Sequence, residues 1–443
     1  MRMSNEQLIT PGGLATVGQL INKTALYNKI DTVKTKTRPQ PRISNSDVVG
    51  TYIGLLCQGK SDFEATNELK EETELYSGIL GIKTIPSAET LRQRINQISP
   101  QALPVIKRSN VELLRNTHIR FTPCLGEHVP VDIDVSPFDN SNTQKEGVSW
   151  TYKKVMGYAP IFAYLGMEGY QLNVEFREGS QHCQKNTVPF LTETLKFAKK
   201  VTAQPLLVRL DSGNDSADNM AVCYAQETDF IIKRNLRQEE PMAWLSIGMN
   251  DKNATVTEPR EGKTIYIGSA HHHYIQSLNR FVRIVYEVIE RTSAANGQML
   301  IVPEIEANTW WVSFPENGEG AVSNEDIIKT YHDHGTCEQF HSEIKTDMDL
   351  ERLPSGHFNT NAAVLTIAMF AYNILRIIGQ TSLMKDDSPL KRPVKRRRIK
   401  TVIQNLITLA VHVVRHARKT IFNLGNSNAW RFTFQRVYES LAL

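Results

Sequence analysis

Apolar positions recur at helical spacing through residues 1–125, and the texture then changes to strict alternation. Val129, Val131, Ile133 and Val135 alternate with Pro130, Asp132, Asp134 and Ser136, which predicts a strand with one apolar and one acidic face. Two more strands are predicted at Tyr158 to Leu165 and Tyr170 to Arg177, joined by the turn Gly166-Met167-Glu168-Gly169. A helix from about Thr187 to Val201 follows. The apolar run Leu206-Leu207-Val208-Arg209-Leu210 then reads as a short buried strand delivering Asp211 into Ser212-Gly213. A helix near Ala217 to Gln226 and a strand at Phe230 to Ile232 complete a mixed α/β unit, the order expected of a central sheet with helices on it.

Residues 236–320 read as β-rich, with strand-like pieces at Thr264 to Gly268, Arg280 to Ile289, Met299 to Pro303 and Trp310 to Phe314. Helical spacing resumes at Ser323, where Ser323 and Asp326 form a capping box. The expected division is a helical, DNA-binding N-terminal region (1–125), a first core segment (126–235), a β-rich insertion (236–320), a second core segment (321–380) and a basic helical C-terminal region (381–443). Near the start, residues Lys34 to Arg42 form a basic, proline-containing break. Ser87 caps a predicted helix whose arginines suit a DNA groove, although a plain amphipathic surface helix explains the same residues.

Composition narrows the picture only a little. The 51 lysines and arginines barely outnumber the 47 acidic residues, so net charge alone does not indicate nucleic acid. Five scattered cysteines without CxxC spacing read as reduced thiols, and the N-terminal stretch lacks the apolar segment of a secretory signal; a cytoplasmic protein is expected. The longest apolar run, Ala362 to Ile378, contains Asn373 and Arg376 and is expected to be a core helix, with no membrane partner.

The chemistry concentrates in three places. Asp134 lies on the polar face of its strand, with Asp132 two residues earlier on the same face. Asp211 ends a buried strand, where open α/β sheets hold ligands. Tyr331, His334, Glu338 and Lys345 follow the spacing Tyr-x2-His-x3-Glu-x6-Lys and fall within one ~60° stripe of a helix. Cys337, Phe340, Ile344 and Met348 form a neighbouring apolar stripe, and Glu343, ~140° from Glu338, should not share its site. Gly335 is a possible interruption of that helix. Three carboxylates of this kind suit two Mg2+ or Mn2+ ions ~4 Å apart, with Lys345, His334 and Tyr331 placed for phosphate or ligand contacts.

These residues resemble the DDE transposases of bacterial insertion sequences. The Tyr331/His334/Glu338/Lys345 run resembles the Tyr-x2-Arg-x3-Glu-x6-Lys signature of the IS four superfamily, with histidine in place of arginine. Closer similarity to the IS thirteen-eighty family is carried by Val131-Asp132-Ile133-Asp134, Gly157-Tyr158-Ala159-Pro160, Arg209-Leu210-Asp211-Ser212-Gly213, Ala371-Tyr372-Asn373 and Pro11-Gly12-Gly13-Leu14. The resemblance implies a ribonuclease-H-like core with a β-rich insertion, and Asp134, Asp211 and Glu338 as a catalytic, metal-binding triad. Ser136 favours Asp134 over Asp132 as the first ligand, though the choice stays open. It further implies cleavage at terminal inverted repeats, joining to target DNA and a homodimer in the DNA complex. A related nuclease without strand transfer, or an inactive DNA-binding descendant, shares most of these features.

By the same resemblance Trp310 and Trp311 are candidates for stacking on a flipped base, while strand alternation would bury one of the two as core. The run from Lys391 to Lys400, with Lys395, Arg396, Arg397 and Arg398 at its centre and Arg415, Arg418 and Lys419 beyond it, is expected to contact phosphates. His271-His272-His273 is expected in a polar loop rather than a metal site, because adjacent strand residues face opposite ways.

Overall fold

In the computed structural model, which describes residues 6–34, 42–416 and 419–442 without the side chains of His271, His272 and Lys419, the alternating segment becomes the strand at the heart of a nine-stranded sheet. Residues 35–41 of the basic break, and Arg418, lie outside the described residues. The strands are β1 (Val129–Val135), β2 (Ile161–Leu165), β3 (Tyr170–Glu175), β4 (Leu206–Leu210), β5 (Asp229–Lys233), β6 (Thr255–Arg260), β7 (Lys263–Ile275), β8 (Arg280–Ser293) and β9 (Met299–Val312). Their spatial order is β6-β7-β8-β9-β5-β4-β1-β2-β3. β1, β4 and β5 run parallel, with β2 and β9 antiparallel on either side. Parallel strands are covered on both faces, which is why all five residues of β4 are apolar or, like Arg209, buried in an ion pair.

The region from 236 to 320 is rich in strands, with lengths that differ from those expected. It extends the central sheet, because β9 pairs with β5 at Trp310↔Lys233, Trp311↔Ile232 and Val312↔Ile231. Met299 to Pro303 and Trp310 to Phe314, predicted as two strands, are almost wholly one, ending at Val312. A helix, Pro241–Asn250, opens the region with proline in its first turn. His271-His272-His273 lies on β7, at a register shift between Ala270 and His273, and not in a loop. Strand length explains the misreading: the polar residues that look like turns are the solvent-facing positions of long, half-exposed strands.

The C-terminal region is likewise not wholly helical. Val411–His416 and Lys419–Leu424 form a hairpin that pairs with Gln7–Ile9, so the two ends of the chain share one small sheet. The Pro11-Gly12-Gly13 stretch makes this closure possible. Gly12 and Gly13 donate their amides to Leu409 and Ile407, and a Cβ on Gly13 would stand 2.0 Å from the Leu406 carbonyl oxygen.

Behind the sheet runs the helix Phe358–Ser382, long and apolar enough to cross a membrane by composition, with 94% of its most apolar window packed inside the fold. Its polar groups include one that holds an edge strand. Asn373 accepts the Gln171 amide at 2.8 Å and donates to the Gln171 carbonyl at 2.7 Å, closing the backbone of the edge strand β3, and also reaches Asn110. Without it the Gln171 amide would lose this acceptor, while the Gln171 carbonyl would keep only the bond from Asn110 at 3.0 Å. Asn373→Ala is therefore expected to lower the unfolding free energy by about 1–3 kcal/mol, seen as a lower urea midpoint at unchanged slope. An unchanged midpoint would mean that β3 is held by other means.

Candidate active site

One layer below the sheet's carboxyl edge lies a buried polar cluster. Asp132 on β1 stands in register with Arg209 on the parallel neighbour β4, and the guanidinium grips both carboxylate oxygens at 2.6 and 2.7 Å. Arg209 also donates to the Thr330 carbonyl at 2.5 Å, and His334 Nδ1 lies 3.0 Å from Asp132. Burial alone would raise the Asp132 pKa; the Arg209 charge and the His334 contact overcome it and hold the group well below the ordinary carboxylate range. Burial opposes the charge on Arg209 too, and Asp132 outweighs it.

Two residues further along each strand the side chains emerge into a cleft of about 570 Å³. Asp134 and Asp211 both line it, as do Glu338, His334, Lys345, Lys153, Tyr152 and His341. Parallel register places Asp134 beside Asp211, and period two returns both to the face of the Asp132–Arg209 pair. Asp211 is fixed by the Ser212–Asn214 turn, in which Asn214 Nδ2 donates to Asp211 Oδ1 at 2.8 Å. The next residue, Asp215, accepts from the Trp311 indole at 2.9 Å and from the Asn235 amide, tying this loop to β9. Burial and then the Asp134 charge raise the Asp211 pKa. Burial opposes ionisation of Asp134 as well, but its contacts with His341, His334 and the Val135 amide leave its pKa lowered.

The third carboxylate comes from the segment after Ser323, whose side chain caps the helix Asn324–His332 as the sequence indicates. The helix tightens to a 3-10 turn at Asp333–Thr336, around Gly335, resumes as Cys337–Ser342, and widens to a π turn at Glu343–Asp347. Despite these changes of pitch, His334, Glu338 and Lys345 line the same cleft, and Tyr331 stacks on His334 at 5.9 Å. Cys337, Phe340, Ile344 and Met348 are all buried, the apolar stripe that seats the helix. Lys345 donates to the Pro137 carbonyl at 2.5 Å, and burial lowers its pKa. Glu343 points away into the core, where Arg376, Arg396 (2.8 Å), Tyr372 and the Ile399 amide satisfy it.

Two sequence expectations need correction. Trp310 is fully buried in a second apolar cluster with Leu207, Val285 and Ile327, and Trp311 is 7% exposed with its indole nitrogen engaged by Asp215. Neither ring offers a face to a base; the strand buries both because both faces of the sheet are covered here. In the basic run Lys391, Arg392, Lys395, Arg398 and Lys400 are exposed, but its three central arginines are engaged within the fold. Arg396 bonds Glu343 and Gln339, Arg397 is buried against Trp430 at 4.1 Å, and Arg398 grips Asp347 at 2.9 Å. Only Lys395 of the four central residues is exposed without such a partner.

Sequence reasoning missed Tyr152, Asn214 and His341. Tyr152 donates to the Val135 carbonyl at 3.0 Å, and after burial the charges of Asp134, Asp211, Cys183 and Glu338 all raise its pKa, so it borders the whole triad. Neither Tyr152 nor His341 belongs to a spacing that marks chemistry, although His341 follows Glu338 by one helical turn.

The cleft suits divalent cations held by hard oxygen ligands. Among the described residues, none of Asp134, Asp211 and Glu338 has a lysine or arginine ion pair, and two of them face each other across adjacent strands. Carboxylates set side by side in this way repel one another, and a bound cation relieves that repulsion. A second group, Asp132, His334 and Cys337, has ligand atoms within 4.8 Å of one another, but it fits a metal poorly. Both Asp132 oxygens are already gripped by Arg209, whose charge opposes a cation there, and burial raises the Cys337 pKa and keeps its thiol protonated.

A family model described as "Transposase DDE domain group 1" matches residues 2–443. No curated protein matches the chain. Among solved structures it is similar to a piggyBac transposase in a cryo-EM synaptic complex with hairpin DNA, at 11% identity and a TM-score of 0.39, over 91% of this chain and 82% of that chain.

The two layers should behave differently when mutated. Asp132→Asn leaves Arg209 short of its buried partner and is expected to cost about 3–5 kcal/mol, whereas Asp134→Asn should stay within about 1 kcal/mol of the parent. Equal losses in urea unfolding would erase the distinction between pillar and site. Asp211, with its pKa raised on folding, adds stability below the unfolded value of 3.8 and loses it as pH rises through the folded value. Metal-free Asp211→Asn should therefore be more stable than the parent at pH 7 and no more stable at pH 3.

Proposed function

Because this chain belongs to the transposase DDE domain group 1 family, we propose that its acidic cleft cuts DNA at the terminal inverted repeats of its own element and joins the freed 3′-hydroxyls to target DNA. The observation that carries the reading is the convergence of Asp134, Asp211 and Glu338, far apart in the chain, on one cleft without a lysine or arginine partner among the described residues. On this reading the sheet and the facing helix are a ribonuclease-H-like core, and the stretches quoted above support membership of the IS thirteen-eighty group.

The triad would hold two Mg2+ or Mn2+ ions, which when bound supply Lewis acidity for the attacking and leaving oxygens at phosphorus. Asp134 and Asp211 offer oxygens from adjacent strand ends, Glu338 from the helix opposite, and Asn214 keeps Asp211 in place. Lys153 and Lys345 at the cleft can pair with phosphate oxygens. With Nδ1 held by Asp132, His334 has Nε2 left for a phosphate, a single donor where the family signature has the fork of an arginine. Tyr331, stacked on His334, limits the ring's rotation. Exposed Trp150 and Tyr152 beside Lys153 and Lys154 form a basic, aromatic rim suited to a DNA strand. A dimer that pairs the two ends before cutting completes the reading.

Asp211→Asn and Glu338→Gln are each expected to reduce metal-dependent nicking of an end-containing duplex to the level seen without metal, while gel-shift binding of the same duplex survives. Pre-cut ends incubated with plasmid should yield joined products. Hydrolysis without joining would favour a nuclease, and full cleavage by either variant would overturn the site.

A further inference from the structure

His341 is a buried polar group that the triad chemistry does not use. It follows Glu338 by three residues on Cys337–Ser342, so both reach the same cleft. The residue is 5% exposed, its ring edge-on to Phe162 (5.1 Å) and Tyr164 (5.5 Å) of β2, the strand that pairs with β1. Nε2 lies 3.3 Å from Asp134 Oδ2. That contact is off the line of a hydrogen bond, and neither ring nitrogen has a hydrogen-bond partner. Buried polar atoms are rarely left so.

The geometry has a simple resolution. Two ligands bound side by side to one octahedral ion, each ~2.1 Å from it, lie ~3 Å apart with their lone pairs aimed at the ion and not at each other. The Nε2–Oδ2 pair is 3.3 Å apart, close to that spacing, and makes no aligned hydrogen bond, as two ligands of one ion would not. Resting on the reading of the cleft as a cation site, we propose that His341 is a nitrogen ligand to the ion held at Asp134. The site then offers mixed oxygen and nitrogen donors. Mg2+ is a hard ion that demands oxygen donors, whereas a first-row transition ion accepts imidazole more readily, so the site favours Mn2+ over Mg2+. The aromatic walls make the choice stricter: they hold the imidazole in place and leave no room for it to turn to solvent.

Electron spin echo envelope modulation of Mn2+ added to the full-length protein tests this directly. The expected result is nitrogen-14 modulation from a coordinated imidazole in the parent protein. In His341→Gln the modulation should vanish while Mn2+ still binds, with Mn2+ affinity down about 10–100-fold and Mg2+ affinity, measured by competition, reduced less. Bound Mn2+ without nitrogen modulation in the parent overturns the proposal and needs no variant to do so. Modulation that persists in His341→Gln also overturns it, because the nitrogen would then come from elsewhere, such as His334. Asp134→Asn and Asp211→Asn separate the two levels of the argument. If neither weakens Mn2+ binding, the cation reading of the cleft fails; if both do and the nitrogen signal is absent, only the role of His341 fails.

Discussion

The buried pair of Asp132 and Arg209 is the constraint on which the rest of the molecule turns. It joins β1 to β4 in register, and through Thr330 and His334 it fastens the helical segment to the same point. Each member is a short, fixed step from a cleft carboxylate. Two residues along β1 lead from Asp132 to Asp134, two along β4 from Arg209 to Asp211, and about one helical turn from His334 to Glu338. A slip of one residue in either strand would separate the buried charges and turn a carboxylate to the wrong face. A buried ion pair is weak evidence for net stability, because desolvation offsets attraction. Here its use is positional.

Charge is sorted around this pillar. The segment from 338 to 347 carries Glu338, Glu343 and Asp347, and the fold neutralises the last two. Arg376 from the core helix and Arg396 take Glu343, and Arg398 takes Asp347. Arg396 and Arg398 of the C-terminal basic run therefore strap the Glu338-bearing helix in place, and of these three acids Glu338 alone is left to the cleft. The same economy holds on β9, where Trp311 anchors the loop after Asp211 and Trp310 fills the core on the other side. Arg396, Arg398 and Trp311 thus hold the elements that bear the carboxylates.

Local pattern made much of this legible. Alternation marked β1, an apolar run marked β4, and a capping box with helical spacing marked the segment bearing Glu338, because each depends on neighbours a few residues away. The helix Thr187–Val201 and the inward turn of Glu343 follow from the same periodicities. Length failed where polar residues on the exposed edge of long strands mimic turns, as between Pro303 and Trp310. The hairpin at Val411–His416 also escaped, since its partner Gln7–Ile9 lies at the other end of the chain.

What the chain by itself determined is the residue types and their local phase: which acids end strands, which share a helix face, and which apolar positions must be covered. Tertiary structure alone decided which charges were to be cancelled. Asp132 and Asp134 occupy equivalent positions in an alternating strand, and only Arg209, arriving from a strand 77 residues away, makes one a pillar and leaves the other open. His341 became part of the site by the same route, through β2 and Asp134 rather than any motif. Electrostatic role depends on distance in space, and sequence spacing fixes that distance only within a single turn or strand.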